Sequence, residues 1–303
     1  MGYQKVSEVL TQITGTEVVS QSGVQSYLTC KAAIVSAQWV AGRNESVTSI
    51  AVTPDIAIYD ADATEVIVMM DDVGVKAQKP HKNIDRADGD AKRLDTTVVL
   101  IEKADKKGYQ YATSGMDKAG KTTYTIEHAI LDTVSQLHNV AEALPIVAIT
   151  DGARSIRCTL QAIFGVAVCI ILDWYHLQLK VKNLMSMIAV NKADKLLIIK
   201  ELNALLWVGN VTQALQYLDA MTEVRNKAKH QELRDYLAKH EKEIINYGLR
   251  KTAGKTIGSG RCEKANDLVV AHRQKKKGMA WSKVGSSALA IVKINRINLQ
   301  QAA

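Results

Sequence analysis

The sequence predicts an α/β protein: a mixed sheet flanked by helices, interrupted by an all-helical insertion and preceded by a small N-terminal helical segment. Three observations carry that expectation. Three continuous apolar runs of strand length, Glu65–Met70, Ile146–Ile149 and Val166–Leu172, read as strands covered on both faces, because a half-exposed strand alternates. A second strand at Thr96–Ile101 and a partner at Tyr109–Thr113 after Gly108 form a hairpin, so the early strands make a meander and not a doubly wound repeat. Residues 177–247 carry helical periodicity almost throughout.

The elements follow in order. Lys5–Ile13 places Val6, Val9, Leu10 and Ile13 at helical spacing and stops at Gly15. Ser20 is placed to cap a second helix ending at Leu28, and Lys31–Val40 reads as a third. This segment, residues 1–42, fits a DNA-binding helix-turn-helix or an ordinary helical hairpin, and the residues leave both open. Residues 43–64 read as a linker. Residues 65–176 form the first part of the core, with a polar loop over 76–95, a helix over Thr125–Leu137 and another over Ser155–Phe164 capped by Ser155. Residues 177–250 hold the helical insertion: Leu177–Ile188, Ala193–Leu206, Val211–Met221 and Gln231–Tyr247. Residues 251–303 complete the core with a helix over Cys262–Arg273 and a last one over Ser286–Leu299.

Charge is unevenly spread. The chain of 303 residues has a formal net charge of +8, and segment 250–283 alone holds ten Lys or Arg against two acids, Glu263 and Asp267. That excess equals the whole net charge, so the remainder is balanced. A concentrated basic stretch suits a phosphate-binding surface, with Arg261, Lys264, Arg273, Lys275, Lys276 and Lys277 as expected DNA contacts. Cys30, Cys158, Cys169 and Cys262 form no zinc-binding pattern and read as reduced thiols. The longest apolar stretch, Ala162–Leu172, is too short to span a bilayer, and no secretory leader is evident, so a cytoplasmic, nucleoid-associated protein is expected.

Each buried-type strand is followed by an aspartate: Asp71 (with Asp72), Asp151 and Asp173. Sites in open α/β sheets form at the carboxyl ends of strands. Hard carboxylate oxygens suit Mg²⁺, and two such ions activate a water or a 3′-hydroxyl and stabilise the leaving oxygen. Asp71, Asp151 and Glu263, the last on a late helix, are expected to hold them. Gly258-Ser259-Gly260 ahead of Glu263 reads as a loop through which backbone approaches a phosphate.

The stretches EVIVMMDDVGV, IVAITDGARSI, ILDWYHLQLKVKNL and KTIGSGRCEKANDLVVAHRQKKKGMAWS resemble bacterial insertion-sequence transposases of the Mutator-like, Kra-type group, over about residues 65–295. The resemblance implies an RNase H-like core with an acidic triad and a helical insertion before the glutamate. By position the triad falls on Asp71, Asp151 and Glu263, and the cofactors on Mg²⁺ or Mn²⁺, with two ions. The family's Asp-Gly at the first position is Asp71-Asp72 here, so either aspartate is open as the first ligand. The resemblance also marks Asp173 and His176 as accessory residues that shape the site or contact a DNA end. It offers Trp207 in the insertion as a base-stacking residue, beside the plainer reading of a packed core tryptophan.

The implied activity is metal-dependent cleavage and strand transfer at terminal inverted repeats, with double-stranded DNA ends and target DNA as partners and a homodimer or higher oligomer on DNA. The family's longer N-terminal region makes a truncated copy an expectation too. A DNA-binding remnant without catalysis and a stand-alone RNase H-like nuclease remain as alternatives.

Overall fold

The computed structural model describes residues 3–79 and 92–302. It is α/β, with a mixed five-stranded sheet flanked by helices; the strand order is β3-β2-β1-β6-β7. The strands are β1 (Val66–Lys76), β2 (Arg93–Glu102), β3 (Tyr109–Ala112), β6 (Ile146–Thr150) and β7 (Cys169–Leu172). A separate two-stranded ribbon joins β4 (Gly115–Met116) to β5 (Thr122–Tyr124). The chain divides into two compact units, residues 1–50, 70–142 and 260–303 in the first, and residues 51–69 and 143–259 in the second.

The first unit contains the N-terminal helices α1 (Tyr3–Thr14) and α2 (Gln21–Ala41), the β2–β3 hairpin, and helix α3 (Ile126–Leu137). Ser20 caps α2 as expected, its hydroxyl accepting from the Gly23 N–H at 3.1 Å. The second and third helices expected here are one helix, because Thr29 and Cys30 are no helix stop and Thr29 turns its hydroxyl back onto the Gln25 carbonyl. The β2–β3 ladder is antiparallel, pairing Val99 with Ala112 and Glu102 with Tyr109. Thr125 caps α3 through the His128 N–H. Ala32, Val35, Met116, Ala288 and Ile291 form one cluster of this unit's core.

The same unit ends with helix α10 (Gly260–Asn266), a π-helical turn over Asp267–Ala271, α11 (His272–Gln274) and α12 (Lys283–Ala302). In the π turn the His272 N–H reaches back five residues to the Asp267 carbonyl. Trp281 ties the chain after α11 to β1: its N–H donates to the Lys76 carbonyl, and its ring nitrogen donates to Gln274.

The second unit is built around parallel strands. The start of β1 pairs with β6 from Val66↔Ile146 to Met69↔Ile149, and β6 pairs with β7 from Val147↔Cys169 to Thr150↔Leu172. The continuous burial of β6 and of the start of β1 explains their continuous apolar runs. Helix α4 (Arg154–Phe164) follows β6, and five helices precede α10: α5 (Trp174–Ile188), α6 (Lys192–Trp207), α7 (Val211–Asp219), α8 (Lys227–Lys239) and α9 (Tyr247–Thr252). Asn191, Asn210, Asn226 and Asn246 cap α6 to α9 in turn, each accepting a backbone N–H.

Several boundaries differ from expectation, each for a local reason. β1 runs on through Asp71 and Asp72 to Lys76, so Asp71 lies within the strand and not at its end. Residues 80–91 of the expected 76–95 loop lie outside the described residues, and Arg93 to Asp95 already belong to β2. Ser155 is exposed inside α4; Asp151 instead accepts the Ala153 N–H at 2.8 Å at the helix start. Gly165, at φ +74°, ends α4, and Val166 is 92% exposed, so β7 begins only at Cys169. The helix expected over Gln231–Tyr247 stops at Lys239. No helix among the described residues is long and apolar enough to cross a membrane.

Candidate functional site

In the first unit, Asp71 is half-buried, and its Oδ2 accepts a 2.6 Å hydrogen bond from Asn266 Nδ2. Its Oδ1 accepts the Asp72 N–H at 2.8 Å. Successive strand side chains point to opposite faces. Asp72 accordingly turns to another partner, accepting from the Thr97 hydroxyl of β2 at 2.5 Å. Of the two adjacent aspartates, Asp71 is therefore the one that meets the segment carrying Glu263. Asn266 follows Glu263 by three positions on α10, which places both on one stripe of the helix. Cys262, on the buried side of α10, lies with its sulfur 3.8 Å from the Val98 carbonyl of β2. Glu263 is exposed in the first turn of α10.

Asp151, in the second unit, follows β6 directly. Gly152 behind it has φ +85°, and a Cβ there would meet His240 Cε1 and Leu172 Cδ1 at 2.8 Å. Only glycine accommodates both the left-handed backbone and the His240 ring. His240 is 1% exposed and belongs to a charged network. Its Nδ1 lies 2.6 Å from Glu243 Oε2 and 2.9 Å from Arg157 Nη2, while Arg157 Nε lies 2.6 Å from Glu243 Oε1. Burial pushes the Glu243 carboxyl up, but the bonds from His240 and Arg157 outweigh it and hold it below its ordinary value.

Asp173 is buried, and both its oxygens are engaged. Oδ1 caps α5, accepting the N–H groups of Tyr175 at 2.6 Å and His176 at 3.0 Å. Oδ2 accepts the Ser259 hydroxyl at 2.5 Å and the Ser259 N–H, with His176 Nδ1 at 3.5 Å. Burial raises the Asp173 carboxyl, yet the bonds from His176 and Ser259 outweigh that and bring it down to about 2. Within the Gly258-Ser259-Gly260 loop expected to approach a phosphate, the Ser259 N–H is thus given to Asp173. Gly258 allows the approach, since a Cβ there would meet the Tyr175 ring at 2.6 Å.

Trp207 is half-buried in an aromatic cluster, its ring centroid 4.8 Å from Trp174 and 6.3 Å from Tyr247, with Lys251 Nζ 5.8 Å from the ring. This is the packing arrangement. The basic stretch divides as well. Arg250 is 0% exposed and, with Lys255, faces Glu65 in the second unit. In the first unit Arg261 lies over the Tyr109 ring at 5.1 Å and Arg273 over Trp281 at 5.8 Å. Lys264, Lys275, Lys276 and Lys277 are exposed.

Asn266 is the residue the sequence did not disclose. Asparagine carries no motif of its own, and its partner lies 195 residues away. Among the described residues, no three His, Cys, Asp or Glu side chains gather closely enough to hold a metal between them. Asp71 and Glu263 belong to the first unit and Asp151 to the second. No protein-family model matches the chain, and no curated protein matches it.

Proposed function

We propose that this chain is a DNA transposase of the insertion-sequence, RNase H-like kind, with Asp71, Asp151 and Glu263 as its metal-holding carboxylates. The observation that carries the reading is the 2.6 Å bond from Asn266 to Asp71, which ties the helix bearing the late glutamate to the first aspartate. Two further features support it. The last pair of the β1–β6 ladder, Met69 and Ile149, is followed two positions later on each strand by an aspartate, Asp71 and Asp151. The meander strands come first, the parallel strands follow, and five helices are interposed before α10.

The donor types, though not gathered as a group of three among the described residues, are those a hard divalent cation prefers. The donors are carboxylate oxygens, and Asn266 adds a buried amide oxygen that accepts no hydrogen bond among the described residues. When bound, such ions lower the pKa of the attacking water or hydroxyl and stabilise the leaving oxygen. The chain's own part is positioning. Asp71 is held by two N–H donors, from Asp72 and Asn266, so its carboxylate is oriented in advance. Asp151 is held by the Ala153 N–H above a turn that only Gly152 allows. Arg261, Lys264, Arg273 and Lys275–Lys277 supply the positive charge that a DNA backbone requires.

The test is cleavage of labelled DNA carrying the ends of the element that encodes this chain, with Mg²⁺ or Mn²⁺ and with EDTA. Metal-dependent nicking at the boundary is expected, and Asp151→Asn is expected to abolish it while leaving end binding within a few fold. Cleavage at the wild-type rate by that variant rejects the triad. Binding by the wild-type chain without cleavage rejects catalysis and leaves a DNA-binding remnant. Cutting without preference for the ends makes the protein a general nuclease.

A further inference from the structure

We propose that Asn266 is a ligand-side residue of the divalent-cation site at Asp71, orienting the carboxylate through its N–H and giving its carbonyl oxygen to the hydrated cation. The proposal rests on the reading of Asp71 as a metal ligand and adds a residue to it.

Asn266 is 7% exposed. Its Nδ2 donates to Asp71 Oδ2, and its Oδ1 is buried without a hydrogen-bond partner among the described residues. The orientation of the amide follows from its neighbour: an ionised carboxylate only accepts, so the amide must face it with its N–H. That choice leaves the carbonyl oxygen unmatched. A buried acceptor without a donor is destabilising, and native chains keep such atoms where something else satisfies them. Here two oxygen acceptors, the Asp71 carboxylate and the Asn266 carbonyl, belong to directly bonded side chains. The amide oxygens of Asn191, Asn210, Asn226 and Asn246 accept backbone N–H groups, whereas those of Asn203 and Asn266 have no partner among the described residues; of these two, Asn266 is the one bonded to Asp71.

The partner that suits hard oxygens on two bonded side chains is a divalent cation, or a water of its shell, since Mg²⁺ keeps several waters when bound by few protein ligands. An amide oxygen is neutral, so it adds a ligand without adding repulsion against Asp71. Carboxylates alone therefore undercount the oxygens available at this place. The helix beyond Asn266 points the same way: the π turn begins at Asp267, and such turns recur at functional sites.

The experiment measures Mn²⁺ binding to the full chain by the loss of the free-ion paramagnetic resonance signal, without DNA. The proteins are wild type, Asp71→Asn, Asn266→Leu and Asn266→Ser, each checked by circular dichroism and thermal melting. Wild type is expected to bind, Asp71→Asn to lose binding, and Asn266→Leu to bind about tenfold or more weakly, as loss of supporting residues does elsewhere. Asn266→Ser, smaller and still oxygen-bearing, guards against misfolding by the leucine variant and is expected to fall between wild type and Asn266→Leu. Wild-type affinity in both Asn266 variants, with binding lost in Asp71→Asn, overturns the role of Asn266 alone. Absence of Mn²⁺ binding by the wild type at millimolar concentration overturns the metal reading of Asp71 and this proposal with it.

Discussion

Arg250 and Glu65 form a two-point ion pair inside the second unit, with Nη2 to Oε1 at 2.8 Å and Nη1 to Oε2 at 3.0 Å. Two more guanidinium N–H groups donate to the Ile58 and Thr256 carbonyls, and Lys255 Nζ approaches Glu65 at 3.5 Å. Removing one partner leaves a buried charge unmatched, which costs about 3–5 kcal/mol. Arg250→Met is therefore expected to lose that much stability in urea denaturation, and adding Glu65→Leu to recover part of it. A loss below 1 kcal/mol in the single variant shows that the pair is not structural.

Asp173 makes an acid-dependent contribution whose sign follows from its pKa. Its folded value, about 2, lies below the ordinary 3.8. Its stabilisation is thus complete above the unfolded value and is lost as pH falls from about 4 through 2. Asp173→Asn is expected to cost on the order of 2 kcal/mol at pH 7. The gap between the two proteins closes in urea titrations run at successively lower pH. A gap that stays constant from pH 7 to pH 2 means the bonds to Ser259 and His176 do not depend on the charge.

Lys275, Lys276 and Lys277 are exposed beyond α11. Replacing all three with Gln is expected to weaken DNA binding at every sequence and to flatten the plot of log affinity against log salt. If each lysine meets one phosphate, the slope falls by about 2.7. Fluorescence anisotropy at several salt concentrations measures it, and an unchanged slope places these lysines off the DNA.

Gly152 and Gly165 both have positive φ, +85° and +74°, but only Gly152 is enclosed. Gly165→Ala is expected to cost roughly 1–3 kcal/mol from backbone strain alone, since φ +74° with ψ −177° is a conformation essentially confined to glycine. Gly152→Ala adds a collision with His240 and Leu172 and is expected to lose clearly more in the same denaturation assay. Equal losses show that the ring of His240 moves aside freely.

The sheet was legible where burial is two-sided. Ile146–Ile149 is an apolar run because both faces of β6 are covered, and α3 showed in the helical spacing of Ala129, Ile130 and Val134, which are buried. Legibility failed where an element is too short or where polar residues sit inside one. The β4–β5 ribbon is two and three residues long, below any periodicity. Asp71 and Asp72 read as a strand end, yet they lie inside β1 because Thr97 and Asn266 satisfy their carboxylates across the fold. The end of α8 at Lys239 was hidden for the same reason: His240 and Glu243 continue the helical pattern, while Arg157 from α4 claims both. The aspartates and the glutamate stood out by type and spacing. Asn266 did not, since its meaning is its contact.

The π turn over Asp267–Ala271 sets the phase of everything that follows it. One residue advances an α-helix by about 100°. A chain one residue shorter across this turn would wind as continuous α-helix. Its Arg273 and the lysines beyond would then leave on a different bearing from Glu263 and Asn266. The extra residue acts as a phase shifter, aiming the acidic end and the basic end of one helical segment independently.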